Sequence, residues 1–145
     1  MTATPEDHIA ALIAPFGAPE QKLFQALRKA VRARFPATNE LVYAYTGKAV
    51  IGYSPTQAGG EGIAALSLDA AGVRLYLTQG ATLPDPHKLL QGKAGARYLL
   101  PASAKDLQRP EVEALFKAAE QRATVPLPPT GRGEVIIKSG KVAKR

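Results

Sequence analysis

Apolar residues recur along this chain with two different periods, and the change of period marks where helix gives way to strand. Near the start, Thr4-Pro5-Glu6-Asp7 carries a helix-opening signature. A Thr hydroxyl accepts from free N–H groups, proline suits the first turn, and early acids complement the helix dipole. Pro15 keeps this helix short. A second start follows at Pro19 and Glu20, after which Phe24, Leu27, Val31 and Phe35 recur at spacings of three and four. That spacing predicts one apolar stripe on a long helix closed by Pro36. Lys22, Lys29 and Arg32 fall roughly opposite the stripe, giving the helix a positive outer face.

From Leu41 the period becomes two. Val42 and Ala44 alternate with Tyr43 and Tyr45, Thr46-Gly47-Lys48 supplies a tight turn, and Ala49, Ile51 and Tyr53 alternate with Val50 and Gly52, which predicts a hairpin. Residues 57–62 form a Gly-rich loop. A second hairpin is expected from residues 63–68 and 73–78, with Leu66, Leu68, Val73, Leu75 and Leu77 on its buried side and Ser67, Arg74, Tyr76 and Thr78 on a wet one. A sheet with one wet face is expected to be antiparallel. Asp85-Pro86 predicts a short helix ended by Gly92, and residues 96–100 a fifth strand. Ser103 to Asp106 resembles a capping start, and Pro110 opens a last helix striped by Val112, Leu115, Phe116 and Ala119. Pro126, Pro128 and Pro129 then make an extended linker, and residues 134–138 alternate only weakly, as an edge strand or as nothing regular. The reading is α+β: an antiparallel sheet of about five strands with helices packed on one face. It places one domain over residues 1–123 and a basic extension over residues 124–145.

Composition narrows the classes. Apolar residues at 46% and charged residues at 21% are ordinary globular usage, so the chain should fold without a partner. The absence of cysteine excludes disulfides, thiolate zinc sites and thiol catalysis, and points to the cytosol. Glu6 and Asp7 stand where a secretory signal carries Lys or Arg, and no apolar run approaches the roughly 20 residues of a membrane span, so no membrane partner is expected. The net charge is +7, and it is unevenly placed: 14 basic and 11 acidic residues to Ala123, then 5 basic and 1 acidic. Lys138, Lys141, Lys144 and Arg145, with Arg132, make a cationic arm suited to non-specific polyanion binding, with a steep loss of affinity as salt rises.

Candidate chemistry is sparse. His8 and His87 have no catalytic motif around them, no G-x-S-x-G elbow surrounds any serine, and Gly47-Lys48, residues 59–62 and residues 131–133 lack the P-loop pattern, so the chain reads as non-catalytic and calls for no cofactor or metal. His87 follows Asp85-Pro86, where free N–H groups with Lys88 and Lys93 nearby would hold a phosphorylated or carboxylated small molecule. Tyr43, Tyr45 and Tyr53 on one side of the first hairpin, with Arg74, Tyr76, Arg97 and Tyr98 on later strands, would suit single-stranded nucleic acid if they shared the wet face. The competing reading buries the tyrosine rings beneath the helices.

The order of elements, with Leu83-Pro84-Asp85-Pro86-His87-Lys88-Leu89-Leu90-Gln91-Gly92-Lys93 and Ala96-Arg97-Tyr98-Leu99-Leu100, resembles the YdhG-like family of small bacterial domains. The closing stretch from Thr130 to Ser139 is similar to the end of some members, where a basic tail follows the domain. The resemblance implies a fold similar to that of frataxins and, through it, an iron-handling role. The first long helix departs from that role, since it offers Glu20 and then Lys22, Arg28, Lys29, Arg32 and Arg34, and a positive face repels a cation. The expected function is therefore a YdhG-like binding or adaptor domain, monomer or weak dimer. Its small-molecule or protein partner would meet the wet sheet face or the stretch from Asp85 to Lys93. Nucleic-acid association through the first long helix and the tail is the alternative.

Overall fold

Thr4 opens the first helix with the chemistry its sequence carries. A computed structural model describes residues 4–93 and 95–139. Helix α1 spans Pro5–Ile13, with the Thr4 hydroxyl accepting from the Asp7 N–H and the Asp7 carboxylate accepting from the Thr4 N–H, each at 3.1 Å. Helix α2 spans Ala18–Arg34 and buries Phe24, Leu27 and Val31, as the three-and-four spacing predicts. Each such side chain contributes about 1.5–3 kcal/mol on burial.

Two hairpins follow. Strand β1 (Asn39–Tyr45) pairs antiparallel with β2 (Lys48–Ser54) across a two-residue turn, where Gly47 takes a φ of +70°. Strand β3 (Ala64–Asp69) pairs with β2 and with β4 (Gly72–Leu77), and β5 (Arg97–Leu99) pairs with β4, all antiparallel. Helix α3 (Pro110–Gln121) returns over the sheet and packs Phe116 edge-on against Phe35, ring centroids 5.4 Å apart. One core joins α1, α2 and α3 to one face of the sheet, through Val42, Ile51, Leu66, Leu68, Leu75 and Leu77.

The sheet differs from the expected one at its edge. Strand β6 (Val135–Ser139) makes it six-stranded, in the order β5-β4-β3-β2-β1-β6, and runs parallel to β1, so the sheet is mixed and not wholly antiparallel. Three hydrogen bonds seat the approach to this strand: Gly133 N–H to the Pro36 carbonyl at 2.8 Å, Glu40 N–H to the Glu134 carbonyl at 2.8 Å, and Glu134 N–H to Asn39 Oδ1 at 2.9 Å. Val135 and Ile137 then pack against the core. The alternation of this segment is weak because Ile136, which pairs with Leu41 and turns to the other face, is as apolar as Val135 and Ile137.

Residues 86–90 form no helix. Asp85 instead caps a turn: its carboxylate accepts from the N–H groups of Leu89 and Leu90 at 2.9 Å each, its carbonyl accepts from Lys88 N–H, and Lys88 sits at φ +54°. An Asp carboxylate satisfies a turn as well as a helix start, which is why the two share one sequence signature. Among the described residues, no helix is long and apolar enough to cross a membrane.

Candidate binding surface on the open sheet face

Side chains alternate across a strand, so pairing register decides which residues share the face turned away from the helices. Leu41 pairs with Gly52 and Ile136, Gly52 with Ala65, Ala65 with Tyr76, and Tyr76 with Tyr98, which sets one row of this open face across six strands. The next row runs Tyr43, Val50, Ser67 and Arg74, and the one after it Tyr45, Lys48, Asp69 and Gly72. Four of the five tyrosines thus stand on the open face.

They stand as two pairs. Tyr43 and Tyr45 are stacked, with ring planes 16° apart and centroids 6.2 Å apart, and Tyr45 is 41% exposed. Tyr76 and Tyr98 tilt together at 5.3 Å. The Arg74 guanidinium lies 4.5 Å from the centroid of the Tyr98 ring, and Nη1 donates to the Tyr76 hydroxyl at 3.3 Å. That hydrogen bond raises the Arg74 pKa, fixing the side chain as a cation, while partial burial and then the neighbouring Tyr45 raise that of Tyr43. The pairs sit three strand intervals apart, about 14 Å. Small residues, Gly52, Ala65 and Ser67, floor the space between them. Ser67 Oγ and Arg74 Nε, directly opposed on β3 and β4, are buried without a hydrogen-bond partner among the described residues.

Tyr53 belongs elsewhere. It pairs with Glu40, which places both on the helix side, and Tyr53 is fully buried there. Its hydroxyl donates to Glu40 Oε2 at 2.8 Å, and Glu40 also accepts from Arg28 Nε and Nη2 at 2.9 Å each. The outer side of the same guanidinium donates to Glu6 at 2.6 and 2.7 Å. The hydrogen bonds from Arg28 hold the Glu6 carboxyl below its ordinary pKa, and burial followed by the Glu40 charge pushes the Tyr53 phenol well up. Sequence reasoning missed this network, although Arg28 falls at an inward position of the stripe formed by Phe24, Leu27 and Val31.

The other residues singled out in the sequence separate into distinct places. Arg97 pairs with Leu77 and so lies on the helix side of the edge, not beside Tyr98 on the open face. His87, Lys88 and Lys93 are exposed, and the N–H groups that would have held an anion there already bond Asp85. Lys22 is exposed on α2. Lys29, Arg32 and Arg132 line one cleft beside α2. Lys138 donates to the Gln57 carbonyl at 2.9 Å. Lys141, Lys144 and Arg145 lie outside the described residues. Among the described residues no three His, Asp or Glu side chains converge as a metal site. No protein-family model, curated protein or solved structure matches the chain.

Proposed function

We propose that this chain is a non-catalytic cytosolic binding domain whose open sheet face takes up single-stranded nucleic acid. Bases would stack on the two tyrosine pairs, and Arg74 would meet phosphate or base edges. Its kinship with YdhG-like, frataxin-like domains is proposed on the motif of residues 83–100 and the order of elements alone. One observation carries the functional reading: Tyr43, Tyr45, Tyr76, Tyr98 and Arg74 share the face opposite the one on which α1, α2 and α3 pack. Aromatic rings among cations accept any base by its π-face, and such stacking contributes about 1–3 kcal/mol per base. Small residues, Gly52, Ala65 and Ser67, lie between the pairs and keep that stretch of the face low. The charge is complementary, at +7 overall. Asp69 beside Lys48 offsets one cation, which leaves Arg74 the principal one on this face.

With no tryptophan in the chain, tyrosine emission reports directly on this surface. Titration with a single-stranded oligonucleotide is expected to quench that emission, and Tyr45→Ala and Tyr76→Ala are each expected to weaken binding roughly 5- to 150-fold without loss of fold. Absence of quenching, or affinity indifferent to both substitutions, would refute the reading.

A further inference from the structure

A separate group of cations faces away from the tyrosines, on the helix side of the sheet. The outer face of α2 and the segment leading into β6 flank an open cleft of about 510 Å³. That volume is in the range of small-molecule sites, about 300–1,000 Å³. Its walls carry Arg28, Lys29, Arg32 and Arg132 and no carboxylate, over a floor that includes Ala33 and Pro36. Glu134 lines a smaller hollow next to it, with Arg32 and Arg132 on the shared side.

The four cations are not equivalent. Arg28 is buried and committed, since its guanidinium donates to Glu6, Glu40 and Gln25. Arg32 reaches Glu40 through Nε at 3.4 Å, which leaves its outer N–H groups for another acceptor. The side chains of Lys29 and Arg132 have no ion pair or hydrogen bond among the described residues. Counting Glu6 and Glu40 against the four, the cleft retains two positive charges. Like charges repel, and here the backbone holds them together. Gly133 N–H to the Pro36 carbonyl and Glu134 N–H to Asn39 pin the segment so that Arg132 faces α2. An anion entering the cleft would meet two unpaired cations and the free side of a third, already positioned, with no carboxylate in its path.

We propose that this cleft binds the phosphoryl group of a small phosphorylated molecule, gripped by Lys29, Arg32 and Arg132. Guanidinium and ammonium donors to phosphate oxygens make short, charge-assisted hydrogen bonds. Nucleic-acid phosphate shares that chemistry. The volume of the cleft, its apolar lining by Ala33 and Pro36 and its place on the helix side of the sheet favour a small ligand over a strand lying on the tyrosine face.

The test is calorimetric titration of the full chain with inorganic pyrophosphate at low ionic strength, alongside an oligonucleotide lacking terminal phosphate. One pyrophosphate per chain is expected. Lys29→Gln and Arg132→Gln should each lower its affinity roughly tenfold or more, the scale of a lost hydrogen bond to a charged group. Lys29→Arg should retain most of it. Lys22→Gln, on the same helix outside the cleft, and Tyr45→Ala, on the other face, should leave it unchanged. A lack of heat with pyrophosphate overturns the proposal. So does an equal loss in Lys22→Gln, which would mean diffuse surface charge, or competition by the oligonucleotide that Tyr45→Ala abolishes, which would move the anion to the sheet face. Because the tyrosine substitutions and the cleft substitutions are read separately, this site and the nucleic-acid surface stand or fall apart.

Discussion

Arg28, Glu40 and Tyr53 form the polar heart of an otherwise apolar core, and the cost of disturbing them depends on which partner is removed. Glu40 is 1% exposed and accepts from both other side chains. Arg28→Met would leave this carboxylate without its two-pronged partner, and breaking a buried pair in this way costs about 3–5 kcal/mol. Since a domain is held by only about 5–15 kcal/mol in total, urea unfolding of Arg28→Met should show a midpoint far below that of the parent. Tyr53→Phe removes one donor to a charged acceptor and keeps the ring, so a loss of about 1.5–3 kcal/mol is expected in the same experiment. The phenol also sets an alkaline limit. Its folded pKa lies well above the unfolded value near 10, so the stability it contributes is fully present below pH 10 and is lost as pH rises beyond it. One of the five tyrosines should therefore develop tyrosinate absorbance only as the fold is lost. Glu6 acts in the opposite sense. Its folded pKa is depressed, so its contribution holds above the ordinary carboxylate range and fades as pH falls through the folded value.

At the scale of elements, α1, α2 and α3 were legible because their signals are local, the helix expected after Asp85 is a turn that shares the same local signature, and β6 was obscure because its partner is remote. Phe24, Leu27, Val31 and Phe35 declare α2 within a dozen residues, and the Thr4-Asp7 box declares α1 within four. The face of Tyr53 was misjudged, since grouping it with Tyr43 and Tyr45 overlooked that a two-residue turn at Thr46-Gly47 sets Tyr45 opposite Lys48 and so Tyr53 opposite Glu40, away from Tyr43. The surface shared by Tyr43 and Tyr76 required the register of β2 with β3, which no turn between them dictates. Parallel pairing of residues 135–139 with β1 required a contact across some 95 residues of chain. Gly133 is where this pairing is most vulnerable, because a Cβ there would overlap the Thr38 carbonyl. Gly133→Ala is expected to lift the segment from β1 and withdraw Arg132 from the α2 cleft. Faster amide exchange in β1 and β6, with α2 and α3 still protected, would be its mark. Unaltered exchange in β1 and β6 would show that the backbone accommodates the methyl group.

For the whole molecule, charge and sheet architecture constrain each other. Cutting the chain at Ala123 would remove not only cations but the edge strand that covers β1, and would expose Val42 and its neighbours along a bare edge. Such a truncation confounds charge with fold. Ending the chain after Ser139 retains all of β6 and removes Lys141, Lys144 and Arg145. If these residues neutralise phosphates, the slope of log affinity against log salt for a single-stranded oligonucleotide should become shallower by up to about 2, at about 0.7 per phosphate contact. The unfolding midpoint should stay where it was. Tyrosine quenching at saturation should persist as well, because the rings proposed to stack on bases are anchored in β1, β4 and β5 and not in the tail. A slope unchanged by the deletion would place the electrostatic contacts on the sheet face itself, at Arg74 and Lys48. Loss of quenching at saturation would instead make the tail, and not the tyrosines, the seat of binding.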